Sequence, residues 1–166
     1  MTYTGAFVIP VGKYHNTKHL YFGVERNGEV SAFGGKRDRH ESIHKCAIRE
    51  LHEESHDVFA KGKTIKKMLN DQGKYHVNKI DMHNTSVTYF VPLKIKGNPM
   101  ADFQKANSKK GLKHYQKEMT EVIAIKADDV ITLVNSTQQG QMTIQGHKVR
   151  PLLEGVLRRA VQQNFL

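Results

Sequence analysis

A chain of 166 residues suits one domain around one core, and 38% hydrophobic with 25% charged residues is the balance of an ordinary globular protein. No apolar run approaches the roughly 20 residues needed to span a bilayer. That excludes membrane insertion, and the lone cysteine, Cys46, excludes an intrachain disulfide. Lys and Arg outnumber Asp and Glu by 26 to 16, a formal net charge of +10, so the surface should attract polyanions such as nucleic acid and polyphosphates.

The N-terminus, MTYTGAFVIPVGKYHN, lacks the pattern of a signal peptide, and with one cysteine a cytoplasmic location is expected. Residues 6–11, AFVIPV, read as a strand. Residues 19–25 and 29–33 flank Asn27-Gly28, a strong hairpin signal because both residues tolerate positive φ. Gly34-Gly35 reads as a breaker before a polar loop at 36–41. Residues 42–55 read as a helix with Ser42 as N-cap. Residues 61–71 are either a short helix or a basic loop. Residues 85–95, TSVTYFVPLKI, are a strand rich in β-branched and aromatic residues. Residues 97–117 form an excursion, 121–127 another strand, 128–134 a short helix and 137–148 a polar loop. Pro151 opens a C-terminal helix whose apolar residues, Leu152 to Phe165, keep a helical period. Strands mixed with two main helices indicate an α/β or α+β fold.

The central helix changes character along its length. At 100° per residue, Ile43, Cys46 and Ala47 share a face with Glu50, Glu53 and Glu54. The stripe begins apolar and ends in carboxylates, which repel at this spacing. Taken alone, such a cluster is a solvated acidic helix end. Three converging carboxylates also suit Mg²⁺, a hard cation that takes oxygen ligands and is commonly shared with substrate phosphates. Arg49, four residues before Glu53, can orient an acid by a charged hydrogen bond.

The wider spacing decides between these readings. Gly35, Glu41, Arg49-Glu50-Leu51 and Glu53-Glu54 stand at the separations of the Nudix box, G-x5-E-x7-R-E-U-x-E-E-x-G-U, where U is a bulky aliphatic. The chain therefore resembles the Nudix hydrolases, with the box at 35–57 and one domain over 1–166. Two positions depart: His56 stands where the pattern has glycine, and Asp57 where it has the last aliphatic, with Val58 one place on. The resemblance implies an α/β/α sandwich with a mixed sheet. It implies cleavage of a nucleoside diphosphate linked to another moiety, or of a similar pyrophosphate, with Mg²⁺ or Mn²⁺. Glu50, Glu53, Glu54 and the Gly34 carbonyl are the implied metal ligands, and Arg49 and Glu41 the implied supports of the catalytic acids. The general base is either a box glutamate or an acid from a later loop, where Glu118 and its neighbour Glu121 are candidates.

The box leaves the substrate open. Lys36 and Arg37, beside the glycine pair, and Phe33 before it are candidates for substrate contact. FGGK (33–36) with EES (53–55) is similar to the branch that hydrolyses oxidised purine nucleoside triphosphates. The charge points to phosphate-rich substrates: dinucleoside polyphosphates, diphosphoinositol polyphosphates or the 5′ end of RNA. Lysines concentrate at 61–67 and 105–117, and Arg158-Arg159 forms a third basic run. Tyr14, Tyr21, Phe33, Tyr89 and Tyr115 are either base-stacking or core aromatics. His44 and His52 are expected on the helix surface. A non-catalytic Nudix-fold domain that binds nucleotide or RNA is the rival function.

Overall fold

Alternation along the first long strand fixes the architecture. The computed structural model describes residues 3–166. In strand β1 (Gly5–Tyr14), Ala6 and Val8 enter one apolar cluster, and Phe7, Ile9 and Val11 enter another on the opposite face. Both faces of the sheet are therefore covered. The first cluster is closed by helices α1 (Ile43–Ser55), α2 (Gly62–Asn70) and α3 (Pro99–Asn107). The second is closed by α4 (Ala127–Ser136) and α5 (Pro151–Gln162). The result is an α/β/α sandwich around a mixed sheet, as the resemblance implied.

The sheet has seven strands. β1 runs parallel to β6 (Ser86–Pro92) on one edge. On its other edge it pairs antiparallel with β2 (Thr17–Glu25) at residues 11–14 and with β4 (Phe33–Lys36) at residues 5–8. β2 pairs with β3 (Val30–Ser31) near its end and with β7 (Met119–Lys126) along its outer edge. β5 (Asn78–Met82) completes the far edge on β6. A small hairpin, β8 (Thr143–Ile144) and β9 (His147–Lys148), precedes α5. Among the described residues, no helix is long and apolar enough to cross a membrane.

Several expectations need correction. Gly34-Gly35 is not a breaker; it lies within β4 and pairs with Ala6 and Phe7. A Cβ at Gly35 would sit 2.5 Å from the Glu50 carboxylate and one at Gly34 would meet the Ala6 carbonyl and Phe7, so Gly35 serves close approach to the helix and Gly34 close approach to β1. At the Asn27-Gly28 turn only Gly28 takes positive φ, at 87°; the Glu25 N–H bonds the Glu29 carbonyl at 2.8 Å across a three-residue loop. Residues 137–148 contain the β8–β9 hairpin, turned on Gln145 (φ 51°) and Gly146 (φ 84°). Residues 61–71 resolve as α2, because Ile65, Met68 and Leu69 reach the core. The β1–β2 turn falls on His15-Asn16, both at positive φ, a tight turn without the usual glycine.

Candidate functional site

The acids of α1 meet β4 and the end of the loop before β7. Ser42 caps α1, accepting a hydrogen bond from the Lys45 N–H at 3.2 Å. Cys46, Ala47 and Leu51 then pin the helix to the sheet. This carries Glu50 and Glu54 inward to 9% and 5% exposure, while Glu53 stays half-buried. Glu54 accepts a hydrogen bond from the Gly34 N–H at 2.7 Å. A cleft of about 600 Å³ opens over this point, lined by Gly34, Gly35, Glu54, Glu118, Arg26 and Arg150, among others.

Arg49 organises the rest. Its guanidinium grips Glu41 with two bonds, Nε to Oε2 at 2.8 Å and Nη2 to Oε1 at 3.0 Å. Nη1 reaches Glu50 at 3.1 Å and Glu53 at 3.3 Å, and Nη2 also meets the Lys36 carbonyl at 3.1 Å. Glu41 in turn accepts from the Asp38 N–H at 3.0 Å. One cation thus ties the polar loop to two acids of the helix.

The charge state follows from this wiring. The hydrogen bonds from Arg49 hold the Glu41 carboxyl below its usual range, against a smaller opposing effect of burial. Burial pushes Glu50 up; Arg49 pulls it back in part, and Glu53 and Glu118 push it further. Burial pushes Glu54 up to about 9, with repulsion from Glu50 and Glu118 added and only the Gly34 N–H opposing. Burial likewise raises the Cys46 thiol to about 11, which makes it a packing residue.

This carboxylate set suits a hard dication. The donors are oxygens, two are buried, and among the described residues Arg49 is the only cation bonded to any of them. Among the described residues, no three acid, imidazole or thiol groups are already gathered as a ligand sphere. Glu50 and Glu53 are turned toward Arg49, and Glu54 toward the Gly34 N–H.

The other sequence candidates fall in different places. Glu118 lies at the cleft beside Glu54. Glu121 lies on β7 and lines a separate cavity, 3.8 Å from His147. Phe33 requires a correction: it is fully buried, 5.5 Å from the Phe59 ring, because strand alternation points it into the core, so it cannot touch a substrate. Tyr21 and Tyr89 are core residues for the same reason; Tyr115 is exposed. Arg37 braces the loop through the Glu41 carbonyl at 3.2 Å. Lys36 is exposed beside a smaller cavity that shares Gly35 and Arg150 with the cleft. His52 is exposed, while His44 is half-buried with its ring 5.8 Å from Tyr89.

His56 takes the left-handed conformation that glycine would supply, φ 55°, and its ring meets Asn107 at 3.0 Å and Phe103 at 5.2 Å. The helix exit therefore keeps its form at the departure from the box, at a local cost of order 1 kcal/mol. Asp57 follows at φ 59° and pairs with His52 at 2.9 Å. Sequence reasoning missed Arg26 and Arg150, the two cations of the cleft. Arg26 sits in the recognised turn, and Arg150 precedes the Pro151 that opens α5; neither position carries a chemical signature.

No protein-family model and no curated protein sequence matches the chain. Solved structures do. An Ap4A hydrolase of C. elegans, in a binary complex, superposes with a TM-score of 0.50 over 97% of this chain and 99% of its own, at 12% identity. The NUDIX domain of Shewanella oneidensis NrtR, complexed with ADP ribose, gives 0.50 over 99% and 90%, at 12% identity. The MutT protein of Methanosarcina mazei gives 0.51 over 99% and 97%, at 9% identity. At such identities the likeness is one of fold.

Proposed function

We propose that this chain, which has the Nudix fold, is a divalent-metal-dependent pyrophosphohydrolase acting on a phosphate-rich substrate. One observation carries this: Glu54 and Glu118 line a cleft with Glu50 close behind them, and burial and mutual repulsion raise both helix acids. A purely structural site would pair such groups or replace them with apolar residues.

Glu50, Glu53 and Glu54 would hold Mg²⁺ or Mn²⁺, with the Gly34 carbonyl as a further donor. The bound ion would neutralise phosphate charge and make water more acidic. Arg49 holds Glu50 and Glu53 in register and ties them to Glu41. Glu118, which lines the cleft, would take a proton from the attacking water, whose oxygen forms the new P–O bond as the bridging P–O bond breaks. Arg26 and Arg150 would bind outer phosphates.

The cleft itself carries Glu25, Glu29, Glu54 and Glu118 beside Arg26 and Arg150, with Arg150 3.7 Å from Glu25; support for a polyanionic substrate comes from the basic segment at its rim. The Arg26 Nε donates to the Lys117 carbonyl at 2.8 Å, joining the basic segment 105–117 to the cleft rim, and the 3₁₀ turn His114–Lys117 packs on α1. Dinucleoside polyphosphates, diphosphoinositol polyphosphates and RNA 5′ ends fit this charge. With Phe33 in the core, the likeness to the oxidised-nucleotide branch loses its aromatic contact.

The test is turnover with Mg²⁺ and then Mn²⁺ of ADP-ribose, a dinucleoside tetraphosphate, oxidised and normal nucleoside triphosphates, a diphosphoinositol polyphosphate and 5′-triphosphorylated and capped RNA. Hydrolysis of at least one, abolished by Glu53→Gln, is expected. A folded protein that binds a member of this panel but turns over none would make it a binding domain.

A further inference from the structure

A second cationic cavity lies across α1 from the cleft. It occupies about 470 Å³ between α1 and α2 and is lined by Glu41, Lys45, Ile48, Arg49, His52, Gly62, Lys63 and Lys66. Lys45, Lys63 and Lys66 are exposed, and no lysine forms an ion pair among the described residues. Of the groove's two other charged pairs, Glu41 is taken by Arg49 and His52 by Asp57.

Two features make this more than a solvated face. Ile48 forms an apolar floor, closed against Gly62, where an added Cβ would lie 3.1 Å from the Ile48 methyl. Cations thus ring an apolar surface, the combination that takes a base or sugar on the floor and phosphates at the rim. In addition, α2 begins at Lys61 with no side-chain cap and no acid in its first turn. Lysines there face the positive helix end, an arrangement an anion would relieve.

The groove and the cleft share no lining residue, but Arg49 connects the faces of α1 on which they lie. Around α1, the order is Glu54, Glu50, Glu53, Arg49, then Lys45 and His52. Arg49 bonds Glu50 and Glu53 on one side and lines the groove on the other. The two sites are separated by about one helix diameter, roughly 10–12 Å, so a single pyrophosphate cannot fill both.

We infer that the α1–α2 groove binds the backbone of a single-stranded polynucleotide whose end lies in the cleft. The inference rests on the proposed function for what the cleft holds, but binding at the groove can be read without hydrolysis. The probe is a 5′-hydroxyl oligoribonucleotide of ten residues, which has no pyrophosphate to cleave. Its affinity is measured against salt by fluorescence anisotropy.

Lys63→Glu with Lys66→Glu should weaken binding at least tenfold. If the two lysines each meet a phosphate, the salt slope should fall by about 1.4, at about 0.7 per phosphate contact on a single strand. Lys13→Glu with Lys18→Glu, an equal charge change on the exposed β1–β2 hairpin, should weaken it much less. Equal losses in both pairs would overturn the inference, as would an unchanged affinity in the groove pair. Inorganic tripolyphosphate is the remaining arm: an equal loss of its binding in the groove pair would overturn the polynucleotide and leave a general anion site. If instead no substrate is hydrolysed while the groove pair alone loses the oligonucleotide, the hydrolase fails and the groove stands.

Discussion

Glu54 on α1 and Glu154 on α5 are almost equally withdrawn from water, at 5% and 4% exposure, yet their carboxyls are shifted in opposite directions. Glu154 feels burial pushing it up, but the Gly140 N–H, 3.2 and 3.0 Å from its two oxygens, and the Arg158 Nε at 3.0 Å outweigh it, and the carboxyl lies below its usual range. Arg158 goes on to bond the Val134 and Thr137 carbonyls, clasping the end of α4. Glu54 has one neutral donor and two acidic neighbours, and is pushed up to about 9. Burial alone therefore does not separate a structural acid from a functional one. The supply of positive partners differs: Glu154 bonds Arg158, whereas Glu54 bonds only the neutral Gly34 N–H, as its proposed metal role requires.

Exchanging each acid for its amide sharpens this contrast. Glu54→Gln keeps an oxygen for the Gly34 N–H and removes repulsion. Pyrophosphate turnover should fall at least about a hundredfold, while the melting temperature holds or rises. Glu154→Gln should do the reverse. It leaves Arg158 short of its anion and costs about 2 kcal/mol, or about 4–8 °C in Tm for a chain of this size, with kcat unchanged. Calorimetry and steady-state kinetics on both variants check the pair; a Glu54→Gln protein that melts earlier and turns over normally would invert the assignment.

Acid titration gives a smaller effect. A depressed carboxyl contributes stability that is complete above the unfolded value, about 4.3, and is lost as pH falls through the lower folded value. The wild type should therefore lose stability more steeply below about pH 4.3 than Glu154→Gln, as read by urea midpoints across that range. The smallest change is expected at the helix exit. His56→Gly relieves a left-handed residue but removes its contacts with Asn107 and Phe103, so stability should shift by less than about 1 kcal/mol. A larger loss would mean that the ring, and not the backbone form, is what the site needs.

The contrast also explains what could be read from the chain. The box acids stand on one helix at fixed spacing, so Glu50, Glu53 and Glu54 were legible together with Arg49 and Glu41. β1 and β6 were legible because a short apolar run and a run rich in β-branched and aromatic residues are likewise local signals. Glu154 gave no hint of its role, because its partner Gly140 lies 14 residues away in a polar loop. Arg26 and Arg150 reach the cleft only through the tertiary fold. Gly34-Gly35 misled because glycine pairs usually end a strand, whereas here the missing side chain of Gly35 admits the Glu50 carboxylate and that of Gly34 admits β1. Phe33 misled because it immediately precedes the glycine pair and Lys36, while its strand face is core.

The most direct test of the central claim is calorimetric titration of Mn²⁺ and Mg²⁺ into the wild type and Glu54→Gln, with thermal melting at each ion concentration. The account predicts that the wild type binds a divalent ion and melts higher as the ion saturates. Glu54→Gln should bind at least tenfold more weakly and show little thermal response. Equal binding by both proteins, or a wild type that neither binds nor is stabilised, would contradict it.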